Sequence, residues 1–275
     1  MKKKGIGSKI VIHIVLIIGA LTMVFPFIWM VLTSFKTFDE TTAIPPTIFP
    51  KVWEASNYQT VLTNLPFGEF YVNTFTMMLF RILFAVVFSS MAGYIFAKAE
   101  FPGKKVLFMI VLLQMMVPGQ IYILPQYLMV SKLGWLNTVR ALIFPAVVSA
   151  FGTFLMRQCY MNIPNDLEEA SVLDGCNRWR TFWHIMFPLS KSNVAALSIF
   201  TALFSWKDLL WPLIVNMSID KMPLASGIAT LQSQYYTNYA QLMAGGVIAI
   251  IPMIILFVIF QKQFVEGIAT TGSKN

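Results

Sequence analysis

Charge is what this sequence has least of. Lysine, arginine, aspartate and glutamate together make up 12% of its 275 residues, against about 25% in an ordinary soluble domain. Histidine occurs twice, at His13 and His184, in isolation, so no metal site is readable from spacing. No clustered set of nucleophile, base or metal ligands is visible, which argues against a membrane enzyme. No GxxxxGK(S/T) string occurs, so the chain has no P-loop of its own. Within its long apolar blocks stands one acid, Asp208. Carriers coupled to protons or sodium more often bury several acids or show an inverted repeat, and no repeat is evident here.

What is abundant is apolar surface. Hydrophobic residues make up 57% of the chain, and the mean hydropathy is +0.69. These residues cluster in blocks long enough to cross a bilayer, which takes about 20 residues per helix. The expectation is an all-α integral membrane protein, residues 1–275 forming a single transmembrane domain. Six spans are readable: Ile10–Thr33, Phe70–Ala97, Val106–Val130, Val139–Met161, Val194–Val215 and Leu242–Phe260. Lys2, Lys3 and Lys4 before the first block resemble a signal peptide. That block, about 24 residues, is too long for one, and no small-x-small cleavage site follows, so it reads as an uncleaved first helix.

Lysine and arginine set the orientation. With the N-terminus inside, thirteen basic residues fall on inner segments and five on outer ones. Both termini are therefore expected to be cytoplasmic, and the net charge of +8 reflects this asymmetry rather than a nucleic-acid partner. Cys159 and Cys176 fall on the inner side, where free thiols are expected. The outer loops, 34–69 and 216–241, carry PPTIFP, NYQTVL, Tyr235, Tyr236 and Tyr239. They read either as a surface for an external partner or as caps over the helix bundle.

The inner loop, about 162–192, is the most polar interval: its residues 168–192 read EEASVLDGCNRWRTFWHIMFPLSKS. Asn165 with Glu168 three residues on is a variant capping box, so a short helix is expected from Asp166 to the stop at Gly175. Two turns are unstable alone in water. Ala170 and Ser171 are small and would let another protein approach the backbone, with Leu167 and Val172 adding apolar surface. Trp179, Phe182, Trp183 and Met186 then recur at helical spacing among Arg178, Arg180 and His184, closed by Pro188. That pattern fits an interfacial amphipathic helix. The interval reads either as a docking element or as an ordinary surface loop.

Span three contains Pro118 and Pro125, expected to break its helix, with Gln114, Gln120, Tyr122 and Gln126 nearby. Irregular backbone at membrane depth is tolerated where it faces protein or a wet cavity. These neutral groups suit an uncharged polyhydroxylated solute; the alternative is that they tie helices together. Span five holds Ser205, Trp206, Lys207, Asp208 and Trp211-Pro212, and intramembrane ionisable residues are functional candidates by default. Ser89, Gly93 and Ala97 form a small-residue stripe suited to close helix packing.

Glu169-Ala170-Ser171, Asp174-Gly175, Ile185 and Pro188, within IPNDLEEASVLDG, resemble the EAA motif of ABC importer permeases, in their carbohydrate (maltose-type) branch. MVLTSFK, IPPTIFP, AGYIFAKAEFPGKK, SWKDLLWPL and LMAGG…FVEGI extend the resemblance along nearly the whole chain. Ser171 departs from the usual second alanine, and Ser192 stands where a proline is common. The resemblance implies the type I importer permease fold, in a bacterial or archaeal cytoplasmic membrane. It implies that Glu168, Glu169, Ala170, Ser171, Asp174 and Gly175 form a coupling helix seated in an ATPase subunit. It further implies a second, similar permease, two ATPase subunits holding ATP and Mg, an external solute-binding protein and a sugar substrate, with no cofactor on this chain. Trp206, Lys207, Asp208 and Trp211 join the four span-three residues as pathway candidates. Arg81 and Asp208 lie at similar depths, so Arg81 is expected to meet Asp208 or an acid of the second permease, unless it snorkels outward. The competing class is a secondary transporter or channel for a small polar solute.

Overall fold

The computed structural model describes residues 6–232 and 236–272, with side chains from 9 to 261 in those ranges. Lys2, Lys3, Lys4, Tyr235 and Lys274, used above for charge bias and loop character, lie outside the described residues, as does the side chain of Lys262. The regular secondary structure of the described residues is helical, apart from a single antiparallel bridge between Gln232 and Thr237. These residues divide into two compact parts, one from the first 66 residues with 228–253, the other from 67–227 with those after 253, each taken over its described residues.

The first part contains α1 (Ile6–Ser34), α2 (Phe38–Thr42), α3 (Ser56–Asn64) and the first half of α15 (Tyr239–Gly272). Thr37 and Glu40 make a complete capping box on α2. The buried Asn57 amide holds the following loop, donating to the carbonyls of Ser34 (3.1 Å), Lys36 (2.9 Å) and Glu54 (3.1 Å). Lys36, also buried, donates to Thr47 O and lies 4.7 Å from the Trp29 ring centre. The 34–66 loop is thus folded upon itself, while Tyr236 and Tyr239 stay exposed. The LMAGG string has a packing reason: Ala240 and Ala244 are fully buried, and a Cβ on Gly246 would lie 3.2 Å from Met30 Sδ.

The second part is built on α4 (Phe67–Lys98). Around it run α5 (Lys104–Met116), α6 (Ile123–Lys132), α7 (Val139–Ile143), α8 (Ala150–Met161), α9 (Asp166–Leu173), α10 (Arg178–Thr181), α11 (Phe187–Leu189), α12 (Lys191–Trp206), α13 (Leu210–Val215) and α14 (Leu224–Ala229). The small stripe on α4 does what its spacing predicts. A Cβ on Gly93 would lie 2.7 Å from Arg157 N and Met156 Cβ, so α4 and α8 touch backbone to side chain there. Ser89 meets Gly152 of α8 in the same seam. One core gathers Val86, Tyr94, Leu155, Met156, Tyr160, Phe182, Met186 and Leu197, and another Met77, Val130, Ala141, Leu142, Trp211 and Val215.

Among the described residues, three helices are long and apolar enough to cross a membrane: Lys9–Ser34, Phe67–Lys98 and Tyr239–Gln261. Three further apolar segments are bent helix pairs, where the sequence reading expected a break in span three alone. Lys104–Met116 and Gly119–Lys132 meet at 99°, Val139–Ala146 and Ala150–Met161 at 45°, and Arg178–Leu189 and Lys191–Trp206 at 78°. Span three breaks at Val117-Pro118 only. Pro125 falls in the first turn of α6, where a missing N–H costs nothing. Span five is likewise not continuous from 194 to 215. It stops at Trp206 and restarts at Leu210, because Pro212 has no N–H to offer the carbonyl of Asp208.

Candidate functional site

The polar interval forms the short helix expected of it, but not in the expected way. No side-chain cap closes α9 at Asn165. The Asn165 carboxamide instead accepts from Lys98 Nζ at 2.6 Å, and the same ammonium donates to Ile163 O at 2.6 Å. Glu168, the other half of the expected box, accepts from the Tyr94 hydroxyl at 2.7 Å. Tertiary donors on α4 outcompete the local cap, since an ammonium makes a stronger hydrogen bond than a peptide N–H. The exit follows the sequence. Gly175 takes φ +78°, its N–H donates to Val172 O, and Cys176 N donates to Ser171 O at 2.9 Å, a Schellman motif.

The faces of α9 are now fixed. Asp166, Glu169, Ala170 and Leu173 are exposed and recur at i, i+3, i+4 and i+7, so they line one outward face. Leu173 is 89% exposed, high for an apolar side chain in a folded segment. Asp174 is exposed beside it. Ser171 does not belong to that face, contrary to the sequence reading. It is buried, and its hydroxyl lies 2.8 Å from that of Thr181. The following aromatic run is not a regular amphipathic helix either. Asn177 caps α10, residues Phe182–Met186 widen into a π-helical turn, and α11 follows. The wider turn accommodates Pro188, which has no N–H for the carbonyl of His184. Phe182 and Met186 are buried in the core, Trp183 packs against it, and Trp179 stays exposed. The two histidines make local contacts, His13 Nδ1 with Lys9 O and His184 Nδ1 with Arg180 O. Cys159 and Cys176 are free thiols.

The buried Arg81 meets Asp208 at 2.8 Å, one of the partners the sequence offered it. It also donates through Nε and Nη2 to Leu142 O, at 2.9 and 2.6 Å. Trp211 Nε1 donates to Ala141 O at 2.9 Å. These carbonyls lie near the end of the five-residue α7, where helical partners run out. Arg81 and Trp211 therefore cap one broken helix, and Asp208 sits in the break of another.

The pathway candidates separate into two groups. Gln114, Tyr122 and Gln126 come together around a cavity of about 790 Å³, with Phe151, Phe200 and Phe204 as aromatic walls and Met115, Val117, Gly119 and Ala150 completing it. Gln120, Trp206, Lys207, Asp208 and Trp211 do not line it. Trp206 packs edge-on against Phe75, and Lys207 Nζ lies 4.8 Å from the Phe204 ring centre. The sequence reading missed Tyr94 and Lys98, which hold α9, and the phenylalanine walls. The i, i+4 pair Phe200 and Phe204 was the available signal for the walls. Nothing local marks Tyr94 and Lys98, whose acceptors lie 74 and 65–67 residues away.

Long apolar helices, bent helix pairs and a short polar helix tied to α4 are features expected of a membrane transport protein. Residues 85–270 match the family described as binding-protein-dependent transport system inner membrane component, and the chain belongs to that family. It is a permease subunit of the ABC importer type, not an enzyme. Among its relatives, the arabinooligosaccharides transport system permease protein AraQ of Bacillus subtilis (strain 168) is 36% identical over 259 residues, covering 93% of this chain and 92% of that protein. The sn-glycerol-3-phosphate transport system permease protein UgpE of Yersinia pestis is 30% identical over 273 residues, covering 95% and 96%. A crystal structure of a bacterial ABC transporter involved in the import of the acidic polysaccharide alginate shares the fold. Its TM-score is 0.81 at 23% identity, over 96% of this chain and 100% of that one.

Proposed function

We propose that this chain is one of two similar permeases that form the membrane pathway for an uncharged sugar or oligosaccharide in a bacterial or archaeal cytoplasmic membrane. An external binding protein delivers the solute, and two ATPase subunits, holding ATP and Mg, drive the cycle. The observation that carries the substrate class is the cavity between the α5–α6 bend, α8 and α12. Its polar groups are two amides and a phenol, set among phenylalanine rings, and among the described residues no Lys, Arg, Asp or Glu lines it. Amides give a hydroxyl both donors and an acceptor, and rings stack on the apolar face of a pyranose. A phosphorylated polyol would call for a cationic lining, so the name borne by AraQ fits this site better than that of UgpE. Leucine at both Gln114 and Gln126 should cut uptake of neutral oligosaccharides about tenfold, at about 0.5–1.5 kcal/mol for each hydrogen bond lost. The assay is uptake by vesicles carrying the full complex and its binding protein, with arabino- and chito-oligosaccharides and glycerol 3-phosphate as probes. Unchanged uptake of every sugar, or uptake of glycerol 3-phosphate alone, would refute the assignment.

The outward face of α9 is the surface offered to an ATPase subunit, with Glu169 for polar contacts and Ala170 for close approach. Counting each bent pair as one span supports six spans, and the excess of Lys and Arg on one set of loops supports placing both ends inside. In a chain with Cys159 and Cys176 changed to serine, single cysteines at the exposed Gln59 and Met217 should react with an impermeant maleimide from outside. A cysteine at Arg180 should react only from inside. The sequence alone offers Asn57 and Asn238 as outer probes and Asn177 as the inner one, but the Asn57 side chain is buried and Asn238 only half-exposed. External labelling of Arg180→Cys would overturn both the orientation and the docking surface.

A further inference from the structure

We propose that Tyr94 and Lys98, at the end of α4, are positioning residues that carry force between α9 and the spanning helices. This rests on the reading that α9 docks on an ATPase subunit.

An eight-residue helix without a side-chain cap cannot hold its own direction. Chain connectivity restrains it at both ends, but the exit passes through Gly175, the most freely rotating residue type. What fixes its first turn comes from α4. Lys98 Nζ binds Ile163 O and Asn165 Oδ1, each at 2.6 Å, and Tyr94 binds Glu168 at 2.7 Å. Tyr94 and Lys98 stand four residues apart, so both reach out from one face of α4. Ser171 ties the other side of α9 to Thr181. The adjacent acids therefore serve opposite sides, with Glu169 facing outward and Glu168 facing α4.

The α4 end of this link is stiff. Tyr94 is buried, its ring centre 5.8 Å from that of Tyr160 and 5.5 Å from that of Phe182. One residue before it, Gly93 locks α4 onto α8 with no room for a methyl group. A displacement of α9 is therefore delivered to a close-packed helix pair rather than absorbed, because such packing deforms little. Farther along α4, Arg81 reaches the breaks in the other spans. The segment AGYIFAKAE thus has a mechanical role: its glycine fixes the helix pair, and its tyrosine and lysine hold the handle.

The test uses the full complex in vesicles, with three readouts: ATPase subunit retained on purification, ATP hydrolysis rate, and solute moved per ATP. Tyr94→Phe removes one oxygen, and Lys98→Met removes the ammonium at similar length. Together they should leave the ATPase subunit bound while solute moved per ATP falls about tenfold, the scale of losing hydrogen bonds to a charged group. Glu168→Ala should fall similarly, and Glu168→Gln, whose amide oxygen still accepts from Tyr94, should recover most of the loss. Glu168→Ala combined with Tyr94→Phe should be no worse than the poorer single variant, as expected for one shared contact. Native coupling in the Tyr94→Phe/Lys98→Met chain would overturn the proposal. So would loss of its ATPase subunit, which would make these residues part of docking rather than of force transfer. The docking reading fails separately, if Ala170→Trp keeps its ATPase subunit.

Discussion

Tryptophan at Ala170 should release the ATPase subunit while leaving the permease itself inserted in normal amounts. Ala170 is exposed in the middle of the outward face of α9. Exposed substitutions of this kind change stability by no more than about 0.5 kcal/mol. In a close-fitting interface the same bulk has to displace the partner, a cost on the scale of an interface hot spot, about 2 kcal/mol or more. Retention of the ATPase subunit should therefore fall about thirtyfold. Glu169→Lys should weaken it through reversed charge. Gly175→Val should act differently: a Cβ there would touch nothing within 4 Å, but φ +78° disfavours it, by about 1–2 kcal/mol. That strain should unwind the α9 exit and lower coupling even where some ATPase remains bound. Co-purification and binding-protein-stimulated ATP hydrolysis are the measurements. If all three variants keep native values, α9 is an ordinary surface helix.

Methionine at Arg81 should be the most damaging single change to the permease itself. The guanidinium is buried and serves three acceptor contacts: Asp208 at 2.8 Å and Leu142 O at 2.9 and 2.6 Å. Its loss leaves an acid without its counter-charge and a helix-end carbonyl without a donor. Removing one member of a buried pair costs about 3–5 kcal/mol, a large share of the 5–15 kcal/mol that holds a typical domain together. The yield of folded chain should fall more than tenfold, with a lower melting temperature in detergent. Asp208→Asn should be milder, because Arg81 keeps the Leu142 carbonyl and the Asp208 side chain is 22% exposed. Arg81→Met combined with Asp208→Leu should recover much of the loss, since no unpaired charge remains. A native melting temperature for Arg81→Met alone would show that the ion pair carries no structural weight.

How much of this was legible in the sequence depends on the range of the forces involved. Features set by neighbours along the chain were readable. The apolar blocks follow from composition, the stop at Gly175 from the one residue type at ease at φ +78°, and the α4–α8 seam from small residues four apart. The expectation that Arg81 meets an acid also came from local chemistry, because an unpaired charge at that depth is costly. Which acid it meets was settled by packing that brings the break at Asp208 beside α4. The same long-range competition overturned the local cap: Asn165 and Glu168 have the right spacing for a box, but Lys98 and Tyr94 reach them first. It turned Ser171 inward, because Thr181 offers its hydroxyl a partner. Residue types and their spacing marked the apolar blocks, the break at Pro118 and the stop at Gly175. The face each helix shows and the partner each buried polar group takes were decided only in the tertiary structure, because donors and acceptors from distant segments compete there on energy rather than on proximity in sequence.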